Sequence, residues 1–168
     1  ILGFIELLQD PDITGDERKE YIGIIEKSGN RMLSTINDII NISKIEAGIV
    51  SLNKQPVDMR GLIYEIAGTF RPEAEKKGIT ISTELPHIDE NVIIDGDQEK
   101  IFAIFVNLVK NAIKYSTHGK ITVGFSLKNE LLTCFVKDTG IGISKEKQNL
   151  IFERFTRVDG VASKNIEG

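Results

Sequence analysis

The chain has 168 residues, 40% of them hydrophobic and 27% charged, with a net charge of −4. That balance supports a buried core and excludes collagen, low-complexity disorder and a disulfide scaffold. The acidic excess argues against a non-specific nucleic-acid binder, and no apolar run reaches membrane-spanning length.

The chain opens Ile1-Leu-Gly-Phe-Ile-Glu-Leu-Leu8, without Met and already in a helical pattern. It reads as an excised fragment, so the lack of a membrane segment says nothing about the parent protein. Asp10-Pro11-Asp12 and Thr14-Gly15-Asp16 read as a stop and a loop. A second helix is predicted from about Glu17 to about Ala47, with Gly48 as its C-terminal stop. Ile22, Ile25, Gly29, Met32, Ile36, Ile39 and Ser43 recur at spacings of three and four, and Leu33 and Ile40 widen the stripe. Two copies of such a hairpin could bury it as a four-helix bundle. The alternative is that it packs on its own chain.

Asn53-Lys-Gln-Pro56 breaks the pattern, and the domain boundary is set there: 1–52 as a dimerisation hairpin, 53–168 as a second domain. Residues 57–77 read as a helix burying Leu62, Ile63, Ile66, Ala67 and Phe70. Gly78–Thr83 alternates as a strand, and Val92-Ile-Ile94 is a short strand candidate. Asp97 caps a helix running to about Tyr115. Lys120–Leu127 and Leu131–Lys137 read as strands joined through Lys128-Asn129-Glu130, where the Asn suits a hairpin turn. Cys134, in Leu132-Thr-Cys-Phe-Val136, is expected in the core rather than as a reactive thiol, and one cysteine suits a reducing compartment. Helices and strands mix without regular alternation, so the second domain is expected to be a layered α+β domain.

On the helix ending at Tyr115, Asn107, Asn111 and Lys114 are spaced four and three and share a face. Leu108, Val109, Ala112 and Ile113 are expected to bury the other. Amide oxygens can ligate a hard cation such as Mg²⁺, and a Lys ammonium can meet a phosphate. A solvated polar face explains the same spacing. Asp138-Thr-Gly140-Ile-Gly142 follows a strand; the glycines allow a close backbone approach to a ligand, or the segment is a tight turn with an Asx-type bond. Phe152-Glu-Arg154-Phe155 alone reads as a core-packing turn.

Taken in order, N-x-x-x-N-x-x-K-Y, D-T-G-I-G-I and F-E-R-F resemble the N, G1 and F boxes of the sensor histidine kinases of two-component signalling. Their ATP-binding domain has the Bergerat fold shared with gyrase-type and Hsp90-type ATPases. Ile36-Asn-Asp-Ile-Ile-Asn-Ile-Ser-Lys-Ile-Glu-Ala-Gly48 looks like the end of the family's second dimerisation helix. The resemblance implies an antiparallel helical hairpin, half of a dimeric four-helix bundle, followed by an α/β two-layer sandwich. It implies that Asp138 accepts from the adenine amino group and that Gly140 and Gly142 pass close to base and ribose. Asn111, assisted by Asn107, would ligate Mg²⁺; Lys114 would hold a phosphate oxygen; Tyr115 would lie beside the nucleotide; Arg157 would reach the terminal phosphate. The cofactors implied are ATP and Mg²⁺.

The related ATPases carry Glu at the position of Asn107, where it activates water; an amide cannot act as a base. The family's nucleophile is instead a His in an H-E-x-R-T-P-like segment expected upstream of Ile1. His87 and His118 are read as surface loop residues, so no catalytic His is expected in residues 1–168. The glycine-rich G2 box is expected after Gly168, leaving Thr156–Gly168 as an untethered lid and weakening ATP binding. The implied partners are a second copy through helices 1–47 and a response-regulator receiver domain, with no nucleic acid. The core is expected in the cytoplasm, its parent membrane-anchored outside this chain. The alternative is a non-catalytic dimerisation or docking module.

Overall fold

Thr14 starts the long helix. In the computed structural model, which describes residues 1–87 and 92–152, its hydroxyl accepts from the Glu17 amide, and the Glu17 carboxylate accepts from the Thr14 amide. This capping box satisfies two helix-end amides reciprocally, and it lowers the Glu17 pKa through the Thr14 hydroxyl and amide bonds. The helix α2 therefore runs Gly15–Glu46, after a short α1 at Leu2–Leu7. Thr14-Gly15-Asp16, expected as loop, is the cap and first turn. At the other end Gly48 takes φ +65. Its amide bonds Ile45 O and that of Ile49 bonds Lys44 O, a Schellman closure that needs the left-handed glycine.

Two units divide the chain, Ile1–Ser51 and Leu52–Gly168. In the first, the Phe4 and Tyr21 rings meet in a tilted contact, 5.4 Å between centroids. No residue of α1 or α2 is buried. Met32, Leu33, Ile36, Ile39 and Ile40 stand exposed along α2.

The second unit has two layers. Strand β1 (Gln55–Asp58) leads into helix α3 (Met59–Glu75), then β2 (Ile79–Glu84), β3 (Ile93–Gly96) and helix α4 (Gln98–Tyr115). Strands β4 (Gly119–Lys128) and β5 (Leu131–Asp138) follow. The main sheet has the order β2-β4-β5, with β2 parallel and β5 antiparallel to β4; β1 and β3 form a separate antiparallel ribbon. Val57, Leu62, Ile63, Ile66, Ala67 and Phe70 pack in one core with Phe105, Val109, Ala112 and Ile113 of α4 and Ile121, Val123 and Phe125 of β4. Fully burying one such Ile or Phe contributes about 2 kcal/mol.

Asp97 accepts from the Lys100 amide as the N-cap of α4, and its second oxygen accepts from the Asn53 amide. The Asn53 bond, then that of Lys100, holds its carboxyl below the usual carboxylate range.

Three further expectations need correcting. The helix expected from residue 57 begins at Met59, because Gln55–Asp58 pairs with β3. Leu108 is 45% exposed, not buried; Val109, Ala112 and Ile113 already fill the inward stripe. Cys134 is exposed. It sits opposite Phe125 on β5, which is an edge strand of the sheet among the described residues. The desolvation that remains still pushes its thiol pKa up, which disfavours the reactive thiolate.

The β4–β5 hairpin closes with two residues. Lys128 pairs with Leu131, and Asn129 and Glu130 both have positive φ (50° and 64°). This is the mirror-image turn that matches strand twist, and Glu is poorly suited to its second position. Glu130→Gly should stabilise the domain by about 0.5–1 kcal/mol, after allowing for glycine's greater unfolded freedom. A urea melt checks this; a lower midpoint for the variant would count against the turn assignment.

Candidate functional site

The end of α4 and the loop after β5 are joined by backbone. Ser116 turns the chain out of α4 at φ −111° and ψ 136°, and the Tyr115 carbonyl, freed from the helix, accepts from the Ile141 amide at 3.2 Å. The Lys77 ammonium donates to the Ile113 carbonyl at 3.3 Å, satisfying another carbonyl of the last turn and placing a cation at the negative end of the helix. On the loop side, Asp138 Oδ1 accepts from the Gly140 amide at 2.9 Å, and the Thr139 hydroxyl accepts from the Lys120 amide at 3.0 Å.

Gly140 is forced by crowding. A Cβ there would lie 2.5 Å from Tyr115 O, 2.8 Å from Ser116 Oγ and 2.9 Å from Asp138 Oδ1. Gly142 is there for its conformation: its φ is +66 and nothing lies within 4 Å of a Cβ built on it. Asp138, Gly140, Gly142, Ile143, Gln148 and Ile151 line a solvent-open pocket of about 460 Å³. That volume suits a small organic ligand. Gln148 donates from Nε2 to the Ile143 carbonyl. Phe152 also lines the cavity and is 86% exposed, so it is not the core residue that its spacing alone suggests.

Asn107 and Asn111 are exposed and Lys114 half-buried along α4. They do not line this cavity; they lie along the helix whose end is bonded to the loop. The Lys114 ammonium sits 5.4 Å from the centre of the Tyr115 ring, within cation–π range. Arg154, Phe155 and Arg157 lie outside the described residues, as does the expected lid. His87 and His118 are exposed, and His118 shares a hydrogen bond with the Thr117 hydroxyl.

Among the described residues no cluster of three His, Cys, Asp or Glu could hold a metal ion. The chemistry available here is a single carboxylate at the cavity and two neutral amides with one ammonium along the helix. Sequence reasoning missed Ser116, Gln148 and Lys77. Ser116 directly follows the helix motif and could have been read from that place. Lys77 is 36 residues from its acceptor, and no local pattern announces it.

The chain thus carries a helical hairpin followed by a two-layer α/β domain whose pocket is lined by a carboxylate and two loop glycines. Residues 96–168 match the histidine kinase-, DNA gyrase B- and HSP90-like ATPase model, and residues 1–48 match the His Kinase A phospho-acceptor domain. The sensor protein GacS of Pseudomonas syringae pv. syringae is 35% identical over 100% of this chain, which covers 19% of GacS. The autoinducer 2 sensor kinase/phosphatase LuxQ of Vibrio parahaemolyticus is 32% identical over 100% of this chain, covering 20% of LuxQ. The chain thus spans about a fifth of the length of these curated relatives. Full-length ShkA, solved with AMPPNP, superposes at a TM-score of 0.77 with 27% identity, covering 97% of this chain and 35% of that one. The histidine kinase AdeS of Acinetobacter baumannii, at 21% identity, shares the fold with a TM-score of 0.67, covering 86% and 68%. The chain belongs to the sensor histidine kinases and carries their phosphoacceptor and ATP-binding domains.

Proposed function

We propose that the whole protein uses Mg-ATP to phosphorylate a histidine and passes the phosphoryl group to an aspartate of a response regulator, with residues 53–168 as its ATP-binding catalytic domain. The observation that carries this reading is the 460 Å³ cavity beside Asp138, Gly140 and Gly142, bonded to the end of the helix that bears Asn107, Asn111 and Lys114. ShkA's complex with AMPPNP supports the choice of ligand.

In this reading Asp138 Oδ1 is engaged by the Gly140 amide, and the other oxygen accepts from the adenine amino group. Guanine would turn a carbonyl oxygen against a carboxylate and be rejected. The loop glycines bring backbone against base and ribose. Lys114 meets a phosphate oxygen, and Tyr115 lies beside the nucleotide. Arg157 reaches the terminal phosphate.

Asn111 and Asn107 are the residues that would hold Mg²⁺. Two neutral amide oxygens suit an ion that takes the rest of its shell from phosphates and water. When bound, it neutralises charge developing on the phosphates. Asn107 cannot take a proton from water, so the site favours transfer to a side-chain nucleophile over hydrolysis. That acceptor is a histidine other than His87 and His118, which both lie in the second unit. Two copies pair through the hairpin and cover Met32, Leu33, Ile36, Ile39 and Ile40. The same bundle docks the receiver domain.

Asp138→Asn tests the base contact. The Gly140 amide keeps the Asn oxygen inward, which turns its NH₂ toward the adenine amino group, donor against donor. ATP affinity measured by calorimetry should fall about a hundredfold. A folded dimer that releases no heat with ATP, before any substitution, would instead favour a docking module.

A further inference from the structure

Ser116 is 4% exposed, and its hydroxyl is buried with no hydrogen-bond partner among the described residues. A buried donor left unmade carries a cost. Its surroundings say what could use it. The position that a Cβ on Gly140 would take lies 2.8 Å from Ser116 Oγ and 2.9 Å from Asp138 Oδ1. The two oxygens therefore lie within about 6 Å of each other, a separation that one bridging water or a hydroxyl rotation can span. The Tyr115 carbonyl is close too, but it already accepts from the Ile141 amide. Asp138 Oδ1 accepts from the Gly140 amide and, as a carboxylate oxygen, has room for a second donor and binds it more strongly than a carbonyl.

We propose that Ser116 is a positioning residue for Asp138: with a nucleotide in the cavity its hydroxyl donates to the inner carboxylate oxygen, directly or through one water. The carboxylate then has two donors on its inner oxygen, which fix its plane and aim the outer oxygen at the base's 6-amino group. Ser116 touches no substrate atom and acts on specificity. This rests on the nucleotide reading above.

The test compares ATP with purine riboside triphosphate, which lacks the 6-amino group, by calorimetry on the chain and on Ser116→Ala, Ser116→Thr and Ser116→Cys. Ser116→Ala should weaken ATP by about five- to tenfold and leave the analogue's affinity unchanged, with no fall in thermal midpoint. Ser116→Thr, which keeps the hydroxyl, should keep the preference for ATP. If the Ala variant fails to fold, the near-isosteric Cys, a weak donor, carries the same comparison. Equal losses on both nucleotides would mean a structural role, and no loss on either would mean none; either result overturns the proposal. A folded chain that binds neither nucleotide overturns the nucleotide reading, and this one with it. That failure shows before any substitution is made.

Discussion

Gly140→Ala should weaken ATP binding by about a hundredfold, because a displaced Asp138 loses a hydrogen bond between carboxylate and base of roughly 1.5–3 kcal/mol. The new methyl would sit 2.5–2.9 Å from Tyr115 O, Ser116 Oγ and Asp138 Oδ1. Two of these atoms belong to the helix end and one to the carboxylate, so no single flexible side chain can give way. The loop must lift instead. Lifting strains the Ile141–Tyr115 bond and the Gly140–Asp138 bond together, and the carboxylate loses its setting. Gly142→Ala is the contrast: its methyl meets nothing within 4 Å, so only the left-handed backbone cost of about 1–2 kcal/mol applies. Calorimetry on both variants, with thermal midpoints as a fold control, separates the two cases. A Gly140→Ala variant that stays within about threefold of the original affinity, under 1 kcal/mol of binding free energy, would rule out the crowding argument.

Gly124→Ala should destabilise the second unit by about 3 kcal/mol, at the upper end for overpacking, lowering its thermal midpoint by about 10 °C. Gly124 lies in the central strand, paired with Glu84 on one side and Phe135 on the other. A Cβ there would collide with the Glu84 carbonyl and lie 3.0 Å from the Phe135 ring. The carbonyl is backbone in a parallel ladder, so relief requires β2 to separate from β4. Differential scanning calorimetry reads the effect. A shift under about 2 °C, well below 1 kcal/mol for a domain of this size, would mean that the sheet yields where the pairing says it should not.

The parts of this fold that were legible from sequence are those set by local chemistry. Asp97 caps α4 as a capping residue should. Leu62, Ile63, Ile66, Ala67 and Phe70 are buried as their helical spacing predicts, and Gly48 closes α2. The misses share one cause. Alternation assigns Cys134 to a face but does not say whether anything lies over it. The four residues of β1 become a strand only through β3, about forty positions later. Leu108 falls on a helix flank, and whether a flank is covered depends on the neighbouring elements. At the site, the loop glycines were visible in D-x-G-x-G, but the separate reasons for them were not. Gly140 is crowded by the end of α4, an element that the motif does not contain, whereas Gly142 answers to its own dihedral. Gly124 carries no signal in the sequence, because a glycine in a strand shows its purpose only once the neighbouring carbonyl is in place.

The Ile141–Tyr115 bond fixes the loop to one end of a rigid rod. From Tyr115, Asn111 lies one helical turn back, about 6 Å, and Asn107 two turns back, about 12 Å, at a rise of about 1.5 Å per residue. On the proposed reading, with the base at Asp138, these groups would act as graduations on a ruler. A nucleoside monophosphate should engage few of them and a triphosphate more. On the proposed reading the site measures the length of its ligand as well as the identity of its base, with helix pitch as the standard.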